Sequence, residues 1–179
     1  DASKAADILQ QADGIVIVDT CSYSQLEPVA DWLKKSTLPK LVIDHHGTRD
    51  PLTQHLLVDE TAAATCLIIY ELAQSVGWSI DSAAASSLFV GLSTDTGWFR
   101  HSNTDARALH AAADLLSRGV KAYELFESLY QQDSASRVRL LAEALNTLEL
   151  YSDDRVVVMI LTHESFARAQ ATPADTEDI

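Results

Sequence analysis

Two short apolar runs, each closed by an acid, restrict the fold more than any other feature of this chain. GIVIVD spans residues 14–19 and KLVID spans residues 40–44. Their β-branched content and lack of polar alternation suit strands covered on both faces, as in a parallel sheet. Between them, SQLEPVADWLKK (24–35) sets Leu26, Val29, Ala30 and Leu33 at helical spacing, with Ser24 as N-cap and Pro28 in the first turn. Strand, helix, strand with a connection of this length is a βαβ unit, which implies a parallel sheet.

Further elements follow the same logic. HLLVD (55–59) reads as a short strand. TAAATCLIIYELAQSVG (61–77) is apolar nearly all round, so a buried helix is predicted, stopped by Gly77. SIDSAAASSLFVGLSTD (79–95) is a second buried helix whose small residues permit close packing, and TGWFRHSNT (96–104) is a loop. Either buried helix could pack within the domain or line a homodimer seam. Helices are also predicted over 2–12, 104–119 (capped by Thr104, stopped by Gly119), 121–132, 134–150 and 163–170, with a late strand in RVVVMILT (155–162). The expected fold is α/β: a parallel β-sheet flanked by helices, with a helical second half.

A length of 179 residues fits one domain, and a hydrophobic content of 47% is enough for a core. The formal charge of -13 argues against a basic groove for duplex DNA. An acidic chain can still handle phosphates when metal ions supply the positive charge. No run approaches the roughly 18 apolar residues of a membrane span. The two cysteines, Cys21 and Cys66, form no CxxC pair, which favours a reducing, cytoplasmic setting. The chain starts at Asp1, and its polar tail ATPADTEDI (171–179) reads as the start of an interdomain linker. The expectation is one domain over 1–170, cut from a longer protein.

The chemistry concentrates where apolar segments end. Asp19 closes the first run, Asp44, His45 and His46 close the second, and Asp95 ends the helix before Gly97. In open α/β sheets, ligands sit outside the carboxyl ends of the strands. Carboxylates beside imidazoles suit Mn²⁺, Mg²⁺ or zinc, and a carboxylate at a helix C-terminus opposes the helix dipole unless a cation joins it. Taken singly, a strand-terminal Asp caps a turn and a lone histidine is structural; jointly, the set points to a site. Arg100 and His101 follow in the loop, where arginine can grip two phosphate oxygens. Asn103 and Thr104 read as caps of the next helix, Thr94 and Thr96 as turn residues, and His55, His110 and His163 as structural or exposed.

The ordered set VIVDT, VIDHHG and GLSTDTGWFRHSNT resembles the second, third and fourth motifs of the DHH phosphoesterase superfamily. It is most similar to the exopolyphosphatase-related subfamily of small exonucleases, which degrade short oligoribonucleotides and dephosphorylate 3'-phosphoadenosine 5'-phosphate. The resemblance implies that Asp19 bridges two metal ions, Mn²⁺ or alternatively Mg²⁺, and that His45 and Asp95 each bind one. It implies that His46 faces the substrate phosphate and that Asp44 orients the histidines. The chemistry implied is two-metal phosphoester hydrolysis.

Two family features are not found. No His-x-x-Pro-Asp-x-Asp motif precedes Asp19, and no glycine-rich DHHA1-type C-terminal domain is present; HSNTD (101–105) has a similar opening spacing but lacks the second acid. The parent protein is therefore expected to be the hydrolase, and this chain alone is expected to bind metal weakly and to be inactive. Pyrophosphate, polyphosphate or a cyclic dinucleotide is the alternative substrate class. A non-catalytic binding module is the alternative outside enzymes.

Overall fold

The computed structural model describes residues 11–27 and 29–176. The predicted helix over 2–12 falls almost wholly outside them, as do Pro28 and the last three residues of the tail. The chain divides between residues 122 and 123 into two compact units.

The first unit is built on three parallel strands in the order β1 (Ile15–Val18), β2 (Lys40–Asp44), β3 (Leu56–Val58). Their register pairs Val16 with Leu41 and Ile43 with Leu57, so all three run toward one carboxyl edge. The central strand is the most buried: Val42 and Asp44 are fully covered. The connection from β1 to β2 differs from expectation. A 3-10 turn at Tyr23–Gln25 precedes a short helix, α1 (Ala30–Lys35), and Ser24 caps nothing there. A tertiary contact takes over instead: the Tyr23 backbone N–H donates to Asp50 Oδ2 at 2.8 Å. Ile17, Cys21, Leu33, Val42 and Leu52 form a small core on this side of the sheet.

Two longer helices, α2 (Thr65–Val76) and α3 (Ser82–Asp95), pack against each other and against α4 (Ala106–Ser117). Gly77 ends α2 in the left-handed conformation, as expected. Asp81 caps α3 through the Ala84 N–H. Gly91 lets α2 and α3 approach closely, because a Cβ there would collide with Cys66 Sγ. Phe89 and Leu92 fill the core behind the C-terminal end of α3. The cap of α4 is Asp105, whose carboxylate accepts from the Ala108 N–H at 2.9 Å, and not Thr104 or Asn103.

The second unit contains α5 (Ala122–Tyr130), which starts at the division, α6 (Ala135–Asn146) and α7 (His163–Ala169). Its helical character is interrupted by an antiparallel hairpin, β4 (Glu149–Tyr151) with β5 (Val156–Val158). The expected helical second half is corrected at one place: residues 149 and 150, the end of the helix predicted over 134–150, belong to β4, while β5 falls within the strand predicted over 155–162. No described helix is long and apolar enough to cross a membrane.

Candidate metal centre

The carboxyl edge of the sheet gathers the acids and histidines. Asp19 leaves β1 with its N–H still donating to the Ile43 carbonyl at 3.0 Å, and its φ of 63° turns the chain sharply outward. A left-handed non-glycine residue is costly, and such strain concentrates at functional positions. Asp44 at the end of β2 has no exposed surface. Its Oδ1 accepts from the backbone N–H groups of His45 (2.8 Å) and His46 (3.2 Å) and from His46 Nδ1 (2.7 Å). One buried oxygen therefore folds the DHH turn and orients the second ring.

The His45 ring is fixed from the opposite side. Its Nδ1 lies 3.2 Å from the Ala62 carbonyl. A carbonyl only accepts, so the proton sits on Nδ1 and the neutral ring offers its Nε2 lone pair. That Nε2 is 3.7 Å from Asp19 Oδ1 and 3.7 Å from Asp95 Oδ2. One ligand atom from each of Asp19, His45 and His46 falls within a 4.8 Å cluster.

Electrostatics fit a bound cation. Burial, first, and the charge of Asp19, second, push the Asp95 carboxyl above the usual range, while the two imidazoles pull it back. Asp95 is the last residue of α3, where the helix dipole adds to the penalty. His46 binds its proton more tightly than a free imidazole, mainly through its hydrogen bond to Asp44. Carboxylate and imidazole donors around a shared gap match a hard or borderline divalent ion. Cys66 offers no thiolate alternative: burial and the charges of Asp95 and Asp19 push its thiol up to about 11.

The loop after Asp95 is tightly wound. Gly97, Trp98 and Phe99 all have positive φ. Thr96 is fully buried and acts within the turn, donating its hydroxyl to the Leu92 carbonyl and accepting from the Phe99 N–H. Arg100 is exposed and donates its Nε to the Gly97 carbonyl at 2.8 Å; His101 packs its ring beside Gly97. Neither makes a hydrogen bond or ion pair with Asp19, His45, His46 or Asp95. Four residues that the sequence did not single out for the site surround the His45 acceptor: Asp59, Thr61, Asn103 and Arg107. The signal was absent because their partners lie up to 48 residues away.

No family model matches the sequence. The chain is 36% identical over 126 residues to the bifunctional oligoribonuclease and PAP phosphatase NrnA of Thermus thermophilus. That match covers 70% of this chain and 38% of the relative. It is 32% identical over 118 residues to the protein of the same name from Bacillus subtilis, covering 64% and 38% respectively. Its sequence is thus similar to those of proteins named as oligoribonuclease and PAP phosphatase. Its fold agrees: an exopolyphosphatase-related protein from Bacteroides fragilis superposes with a TM-score of 0.93 at 23% identity, over 99% of this chain and 53% of that one. A protein described as a family II inorganic pyrophosphatase, from Methanococcus jannaschii, superposes with a TM-score of 0.52 at 16% identity, over 82% and 51%. The expected parallel α/β sheet, with KLVID (40–44) as one of its strands, stands as predicted. The matched segments cover 38% of the length of each of these two relatives.

Proposed function

We propose that this chain carries part of the metal centre of a phosphoesterase that hydrolyses short oligoribonucleotides and 3'-phosphoadenosine 5'-phosphate. The observation that carries the reading is the placement of one lone pair, His45 Nε2, at 3.7 Å from both Asp19 and Asp95. In this reading Asp19, His45 and Asp95 would hold Mn²⁺. When bound there, the ion would supply an acidified water and offset phosphoryl charge.

The remaining roles belong to the chain. Asp44 holds His46 by Nδ1, which leaves Nε2 of that ring to meet a phosphoryl oxygen. The hydrogen bond to Asp44 raises the proton affinity of His46, and a protonated ring is a donor suited to a phosphate. Arg100 and His101 are assigned to the substrate side of the same edge. Both free thiols fit a cytoplasmic setting.

The test is hydrolysis of a short oligoribonucleotide, of 3'-phosphoadenosine 5'-phosphate and of pyrophosphate in Mn²⁺, by this chain and by the gene product that contains it. The reading expects cleavage of the first two substrates by the gene product, loss of turnover in Asp19→Ala and His46→Ala, and little turnover by this chain alone. Turnover that survives Asp19→Ala would sink it. Preference for pyrophosphate would move the substrate to the alternative class.

A further inference from the structure

The loop between β3 and α2 contains the acceptor that fixes His45. Ala62, Ala63 and Ala64 are all buried there, so their carbonyls need donors from within the protein. The Ala62 carbonyl accepts a hydrogen bond from His45 Nδ1–H. The Ala63 carbonyl accepts a hydrogen bond from Asn103 Nδ2 at 3.1 Å, and the same nitrogen lies 3.1 Å from the backbone carbonyl of Asp95. Because both partners are carbonyls, only the NH₂ end of the amide can face them, and its two protons serve one each.

A second side chain grips the other end of the same loop. Arg107, four residues after Asn103, donates Nη2 to Asp59 at 2.8 Å and Nη1 to Thr61 Oγ1 at 3.2 Å. It is anchored in turn by two bonds to the Glu71 carboxylate on α2, at 2.9 and 2.7 Å. Asp59 also accepts from the Thr61 N–H and hydroxyl. The loop is thus clamped at its start by Arg107 and beyond Ala62 by Asn103.

We infer that Asn103 is a positioning residue: it ties the loop that locks the His45 ring to the end of α3 that carries Asp95. The inference rests on the metal-site reading above. Its logic is geometric. The 3.7 Å gap between His45 Nε2 and Asp95 depends on two elements, the Ala62 loop and the C-terminus of α3, and Asn103 is hydrogen-bonded to both. Without that tie the Ala62 carbonyl is free to drift from Nδ1. The ring then samples the tautomer protonated at Nε2, which has no lone pair for a metal.

The test uses this chain with the substitutions Asn103→Ala and Asn103→Asp; the second keeps the shape but removes both donors. Tyr70→Phe is the control, since it deletes a bond of 3.0 Å to Asp114 between α2 and α4 and leaves the loop intact. Two readouts are taken: the His45 tautomer by ¹⁵N NMR of the metal-free chain, and Mn²⁺ affinity by calorimetry. Both Asn103 substitutions should bring protonated Nε2 into view and weaken Mn²⁺ binding by about tenfold or more. Tyr70→Phe should lower the melting temperature and move neither readout. An unchanged His45 tautomer in both folded Asn103 variants would overturn the inference. If the unsubstituted chain binds no Mn²⁺, the metal-site reading fails, and the tautomer comparison alone decides the clamp.

Discussion

Asp44 Oδ1 lies 2.7 Å from His46 Nδ1, and the carboxylate that provides it is fully buried. Its other oxygen, Oδ2, has no hydrogen-bond partner among the described residues. A single oxygen therefore supports both the turn and the ring. Asp44→Asn keeps an acceptor at Oδ1 and should leave a cooperative unfolding transition, while the His46 ring of the metal-free chain loses proton affinity in an NMR titration. Asp44→Ala strands the three donors and should cost about 1–3 kcal/mol in denaturant unfolding.

The contact between Gly91 and Cys66 sets the spacing of α2 and α3. Gly91→Ala forces its new methyl into Cys66 Sγ and should destabilise the chain by roughly 1–3 kcal/mol. Cys66→Ala in the same chain removes the obstacle. The double variant should regain most of the lost melting temperature, a non-additivity expected of residues in contact.

Acid should loosen the Arg107 clamp. Hydrogen bonds from Thr61, first, and from Arg107 hold the Asp59 carboxyl down at about 2. A depressed carboxyl contributes stability that is present above its unfolded value, near 4, and is lost as pH falls through the folded value. The chain should lose stability between about pH 4 and pH 2. Asp59→Asn should flatten that part of the stability profile measured by thermal unfolding.

Gly97 combines a φ of 54° with a neighbouring His101 ring where a Cβ would stand. Gly97→Ala meets both penalties, backbone and steric, and should cost about 1 kcal/mol or more. Because Asp95 lies two residues earlier, the same variant should weaken Mn²⁺ binding in calorimetry.

Much of the first unit was legible because its signals are local. β-branched runs closed by acids marked β1 and β2, and the joint spacing of Asp19, Asp44–His46 and Asp95 marked the edge where they meet. Gly77 stopped α2 where its conformational freedom is used. The misses come from contacts that local pattern does not encode. Ser24 looked like a cap, but the Asp50 carboxylate turns that segment from 27 residues away. Residues 149 and 150 continue an apolar helical spacing, yet pairing with Val158 and Val157 prevails. Asn103 resembled a cap because Asp105, the actual cap, stands two residues later. Its tether to Ala63 and Asp95 exists only once the loop and α3 have come together.

Asp19, His45 and Asp95 are proposed to form one cation site. Isothermal calorimetry of Mn²⁺ binding to this chain, beside Asp19→Ala and His45→Ala, tests it most directly. Weak, saturable binding that each substitution abolishes, with the fold intact by circular dichroism, is the expected result. Binding that persists in both variants, or no binding by the folded unsubstituted chain, would contradict it.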